Sequence, residues 1–162
     1  MRLSMNDVVH TDVHGEGSRS ASRRRRPALV AVALAIAGLS LTACGPSPED
    51  TDVASINALR TSVALPELAR SAELDLKAEK QAQRMANAGT IYHSKNLAGG
   101  ISPGWTYVGE NVAMAGSIEA AQAALEASPP HYENMTGPFT EVGVGVVTKN
   151  GTVYVVQVFV QR

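Results

Sequence analysis

Val142-Gly143-Val144-Gly145-Val146-Val147-Thr148-Lys149, then Asn150-Gly151, then Thr152-Val153-Tyr154-Val155-Val156-Gln157-Val158-Phe159-Val160-Gln161 closes the chain. Both runs are rich in β-branched residues, and Asn-Gly between them is the strongest short-range signal for a two-residue hairpin. The second run is apolar at odd and even positions alike, so it belongs in the middle of a sheet covered on both faces. Gly143 and Gly145 alternate on one face of the first run, where bare backbone admits a close neighbour, either a helix or a ligand.

Upstream of the hairpin the hydrophobic period changes to that of helices. Val53–Ser62 reads as a short amphipathic helix capped by Thr51 or Asp52. Pro66 reads as the opening of a second helix, through which Leu74, Ala78, Ala82, Met85 and Ala86 recur at three- and four-residue spacing up to a stop at Gly89. Ser117 is placed to cap an alanine-rich third helix ending near Ala127. Ser128-Pro129 starts a fourth that Gly137-Pro138 ends, which puts His131 in its first turn. Residues 96–107 are loop-like. Helices beside a small antiparallel sheet define an α+β domain.

The N-terminal part reads as an address. Arg23–Arg26 is a basic block and Ala28–Leu41 an uncharged apolar run, shorter than the roughly 20 residues that cross a bilayer as a helix. The run ends in Leu41-Thr42-Ala43-Cys44-Gly45, which resembles a bacterial lipobox. We therefore expect an export signal over residues 1–43, a lipidated N-terminus at Cys44 with a flexible tether over residues 44–53, and a folded domain over residues 54–162. Cys44 is the sole cysteine, so no intramolecular disulfide can form. From Cys44 onward the chain has 119 residues, with 8 Lys+Arg against 12 Asp+Glu and a formal charge of −4. That mildly acidic balance, with no basic stripe along the sequence, argues against nucleic-acid binding.

Four polar residues carry the chemistry: His93, Glu110, His131 and Glu141, each beside a segment that reads as a turn or an element end. Two imidazoles and two carboxylates in one cavity suit a divalent metal such as zinc, or a proton shuttle. The same residues could equally brace a small core by hydrogen bonding between layers. Placed near a helix N-terminus, His131 should have its charged form disfavoured by the helix dipole. Gly109-Glu110-Asn111 reads as a turn whose Asn111 satisfies backbone groups. Ser94 directly follows His93, but adjacency does not make a nucleophile–base pair.

The order of several short motifs resembles the bacterial branch of the CAP superfamily, the SCP-like domains of cysteine-rich secretory, antigen 5 and pathogenesis-related proteins. These are Asn57-x-x-Arg60, His93-Ser94, Gly109-Glu110-Asn111, Ser128-x-x-His131-x-x-Asn134-Met135 and Phe139-Thr140-Glu141-Val142-Gly143-Val144-Gly145. The resemblance implies a three-layer α-β-α sandwich with a central cleft holding His93, Glu110, His131 and Glu141, of which His93 and His131 are the metal-ligand candidates. It further implies an extracytoplasmic module for small lipids, sterols, cell-wall or host components. A metal-assisted hydrolase and a purely structural interaction protein are the competing expectations. Two departures stand out. Leu125 occupies a position where many relatives carry tryptophan, and the disulfides of the secreted eukaryotic members are missing.

Overall fold

The computed structural model describes residues 45–162; the expected export signal over residues 1–43 and the expected lipidation site Cys44 lie outside the described residues. The first helix, α1, spans Pro48–Ser62 and starts earlier than the sequence pattern suggests. Ser47 Oγ accepts from the Asp50 amide at 3.1 Å, and the Ser47 amide donates to Asp50 Oδ2 at 3.0 Å, a reciprocal capping box with Pro48 in the first turn. Residues 48–52 are therefore helical, which corrects the tether expected over residues 44–53. The Pro, Ser and acids there are helix-start chemistry. Asp52 caps nothing; its side chain is fully buried under the sheet.

The second helix, α2, spans Ala72–Ala88 and begins later than Pro66. The intervening chain is held extended. Asn57 Nδ2 donates to the Leu68 carbonyl at 3.1 Å, and the Leu68 amide donates to Asn57 Oδ1 at 2.9 Å. Residues Ala69–Arg70 form a short strand, β1. Gly89 ends α2 in the left-handed conformation, φ 69°, as the sequence predicts.

Strand β2, Tyr107–Ala115, is followed by α3, Ile118–Glu126, α4, Pro129–Thr136, β3, Glu141–Lys149, and β4, Thr152–Gln161. The hairpin turns at Asn150 and Gly151 with φ of 52° and 76°, both left-handed, as an Asn-Gly turn of the primed type requires. The sheet order is β1-β3-β4-β2, antiparallel except for the parallel β1–β3 pair. The α-β-α sandwich is thus present, with a mixed sheet.

Strand β4 is central and fills both interiors. Its odd-numbered Val153, Val155 and Phe159 meet Ile56, Ala121, Leu125 and Met135 on the side covered by α1, α3 and α4. The even-numbered Tyr154, Val156, Val158 and Val160 meet Leu74, Ala78, Ala82 and Met85 of α2. A Cβ on Gly143 or Gly145 would overlap the α2 backbone at Leu74–Asp75 or Ala78–Glu79, so these glycines serve helix packing. Beyond the reach of β1, Asp75 Oδ1 accepts from the Val144 amide at 2.8 Å and closes part of the β3 edge.

Candidate functional site at the open edge of the sheet

Glu110 sits mid-strand in β2 rather than in a turn, with its side chain 2% exposed against 60% for His93. Three donors satisfy it. The His93 Nδ1 lies 2.9 Å from Oε1, the Ser94 amide donates to Oε1 at 2.8 Å, and the Ser94 hydroxyl donates to Oε2 at 2.5 Å. A carboxylate oxygen only accepts, so Nδ1 carries the proton of this bond and Nε2 is left on the far side of the ring. The loop bearing His93 is fixed from behind by Gln81 Nε2, which donates to the Tyr92 carbonyl at 2.6 Å.

His131 occupies the first turn of α4, as the sequence predicts. Two clamps set that helix. Asn111 Nδ2 donates to the His131 carbonyl at 3.1 Å, and Asn134 Nδ2 donates to Asn111 Oδ1 at 2.9 Å. At its far end buried Arg60 donates to the carbonyls of Met135 and Gly137, both at 2.9 Å, while its Nε donates to the Pro66 carbonyl at 2.7 Å. Burial, reinforced by the positive charge of nearby His93, holds the His131 imidazolium below its ordinary pKa. Its Nδ1 is buried and has no hydrogen-bond partner among the described residues.

Glu141 does not join this group. Its Oε1 lies 3.0 Å from Arg162 Nε, at the end of the chain. Glu110 pairs with Val158 and Glu141 with Val160 on the opposite side of β4. The two carboxylate-bearing residues are therefore about 10 Å apart across the sheet and about 7 Å along it. A glutamate next to a C-terminal arginine has an ion-pair partner that motif order does not reveal. The candidate trio is His93, Glu110 and His131: Glu110 is bonded to His93 and Ser94, while His131 makes no hydrogen bond to either of its fellows and is reached by His93 through charge alone.

That trio fits zinc poorly. Catalytic zinc takes three protein donors and structural zinc four. Here Glu110 is spent on Ser94 and His93, and Glu141 on Arg162, which leaves two imidazoles. No group of three or more His, Cys, Asp or Glu among the described residues is arranged to hold a metal ion.

Beside Ser94 opens a cavity of about 850 Å³ lined by one face of α2 and the loop after it, including Lys77, Lys80, Arg84, Tyr92 and Lys95. No sequence pattern marks it, because the lining comes from two segments and its cations alternate with neutral and acidic residues along α2.

A three-layer sandwich whose edge strand carries a buried glutamate bonded to a loop histidine, with a second histidine on an adjoining helix, defines an SCP-like domain. The chain belongs to the cysteine-rich secretory protein (CAP) family, whose model matches residues 53–161. Among solved structures, an SCP-domain extracellular protein from Bacillus anthracis aligns with a TM-score of 0.63 at 24% identity, covering 71% of this chain and 40% of that one. A cysteine-rich secretory protein from Staphylococcus aureus aligns at 0.60 and 17% identity, covering 75% and 41%. An outer surface protein from Borrelia burgdorferi aligns at 0.58 and 21%, covering 68% and 89%. The chain thus spans well under half the length of the first and second of these proteins. No curated protein matches it in sequence.

Proposed function

We propose that this CAP domain is an exported, membrane-anchored binding module that holds its ligand at the His93–Glu110–His131 cleft. The carrying observation is the state of Glu110. A carboxylate that is buried and bonded to three donors orients an imidazole; it is not free to take a proton from water. Export and anchoring rest on the basic block, the apolar run and the lipobox-like word ending in Cys44. The extracellular and outer-surface designations of two of the similar structures agree with export. The ligand classes are small lipids and cell-wall or host components, with no nucleic acid among them.

The test uses the full-length protein in detergent, screened by thermal shift and calorimetry against lipids and peptidoglycan fragments. A ligand that raises the melting temperature of the native protein and fails to do so for His93→Ala supports the reading. Equal shifts for both proteins would remove the cleft from it. Substitution Cys44→Ala should move the protein from the detergent phase to the aqueous phase on partitioning, and an unchanged distribution would refute the anchor.

One observation favours a hydrolytic alternative. His131 is held neutral with an unpartnered Nδ1, the form a general base requires. Ester or peptide turnover that persists in Glu110→Gln and vanishes in His131→Gln would support that role.

A further inference from the structure

We propose that the cavity between α2 and the loop after it is a binding site for a linear phosphodiester polymer of polyol units, such as a glycerol-phosphate chain. This goes beyond the cleft reading, because the groove shares Ser94 with the trio and includes neither imidazole.

The argument begins with charge. The described domain is acidic, with eight Lys+Arg in residues 45–162, yet four of them, Lys77, Lys80, Arg84 and Lys95, line this one cavity. The other four are committed elsewhere. Arg60 is buried on backbone carbonyls, Arg70 and Arg162 form ion pairs, and Lys149 donates to Asn87. None of the four groove cations forms an ion pair among the described residues. Lys77 donates to the carbonyls of Asn96 and Gly99 at 3.2 and 2.8 Å, and Arg84 to Gln81 Oε1 at 2.7 Å, so these contacts position the cations on neutral acceptors rather than on acids. The single acid in the lining, Glu73, is bonded to Ser102 and faces Arg162. Burial is the main cause that disfavours the Lys77 ammonium form; Glu110 opposes that effect and Arg84 adds a smaller push in the same direction as burial.

Geometry then selects the ligand. Residues 77, 80 and 84 fall on one stripe of α2, and seven residues of helix span roughly 10 Å. Cations spread along a line match successive charges on a chain, whereas one isolated phosphate would need them to converge. Arginine forks and lysine ammonium groups both suit phosphate oxygens. Leu76 (57% exposed) and Tyr92 (37% exposed) line the same cavity and offer apolar contact to the carbon atoms between phosphates. A nucleic-acid strand would want a series of aromatic stacking platforms, and Tyr92 is the one aromatic residue in the lining.

The test titrates a fluorescent synthetic glycerol-phosphate hexamer into the full-length protein in detergent and follows anisotropy. Lys80→Gln with Lys95→Gln, two exposed residues without hydrogen-bond partners among the described residues, should weaken binding roughly tenfold and flatten its salt dependence by about one unit of log–log slope per lysine. His93→Ala should leave hexamer binding unchanged, which separates failure here from failure of the cleft reading. Hexamer affinity indifferent to the double substitution would overturn the proposal. So would a single-stranded oligonucleotide that binds as tightly as the hexamer. Vesicles of anionic phospholipid that displace the hexamer would reassign the site to lipid headgroups and overturn the polymer assignment, whereas failure of inorganic phosphate to displace it at equal phosphate concentration would support a chain.

Discussion

Gln157 Nε2 donates to Asp52 Oδ2 at 2.8 Å, joining the first helix to the central strand through a fully buried carboxylate. The other oxygen, Oδ1, has no partner among the described residues. Gln157 Nε2 also reaches Gln122 Oε1 at 2.8 Å, and its own Oε1 accepts from Asn111 Nδ2 at 3.0 Å. Asn111 in turn holds the His131 carbonyl. A continuous polar seam therefore runs from α1 beneath the sheet to the helix that carries the cleft histidine.

Desolvation pushes the Asp52 carboxyl up to about 6, with the charges of Glu126 and Glu49 adding and the Gln157 hydrogen bond opposing. A folded-state pKa raised above the unfolded value means that this group stabilises most fully below about pH 3.8, and that the contribution is lost as pH rises through 6. Asp52→Asn keeps the shape and removes the buried charge. It should stabilise the domain by up to about 3 kcal/mol at pH 7 and remove this group's pH dependence between about pH 4 and 6. Urea unfolding of both proteins across that range is the measurement; parallel profiles would show that Asp52 does not titrate as described.

His131 carries the opposite sign. Its folded pKa lies below the ordinary imidazole value, so its share of stability is complete above about pH 6.5 and declines as pH falls through the folded pKa. Its ring Cε1–H resonance, followed by NMR, should titrate below that of a model peptide. Removing the charge of its neighbour with His93→Gln should raise the His131 midpoint slightly, burial being the larger cause. A midpoint at or above the model value would contradict the buried, neutral ring.

Gly145→Ala tests the seating of α2. A methyl group there overlaps the backbone of Ala78 and Glu79, and no side-chain rotation relieves a clash between main chains. Destabilisation of about 3 kcal/mol or more follows. Gly151→Ala strains only an exposed left-handed turn position, φ 76°, and should cost about 1 kcal/mol. Equal unfolding midpoints for the two variants would refute the close packing.

Arg60→Met removes a buried guanidinium that serves the carbonyls of Pro66, Met135 and Gly137. Leaving those acceptors unpaired should cost about 3 kcal/mol. Hydrogen exchange should show the loss first in the amides of α4, with α2 protected as before. Uniform loss across all helices would indicate a general packing defect instead.

The legible parts of this fold share one property: the residues that decide them are neighbours in the chain. Asn150-Gly151 names its own turn, Gly89 its own helix stop, and Ser117 its own cap, accepting from the Ala120 amide at 3.2 Å. The apolar spacing of α2 needed no partner to be read. Strand β2 escaped because Glu110 and Asn111, adjacent and polar, are both buried, and their partners come from residues 93–94, 131, 134 and 157. Period-based reading scores such a pair as exposed turn. Helix α1 was read as starting late because Ser47-Pro48-Glu49-Asp50 has the composition of a linker and the geometry of a capping box. Of the four expected cleft residues, His93 and Glu110 are hydrogen-bonded to one another, and His131 is tied to the same strand through its carbonyl and Asn111. Glu141 instead pairs with Arg162, a surface cation beyond the last strand, and a surface ion pair leaves no pattern in sequence.

The capping box at Ser47 also sets a leash. Only Gly45 and Pro46 separate Cys44 from that serine, and three extended residues reach about 10 Å. An acyl chain on Cys44 would keep the whole module at roughly headgroup height, able to pivot but not to wander. Whatever such a module captured would have to come from the thin layer directly above its own bilayer.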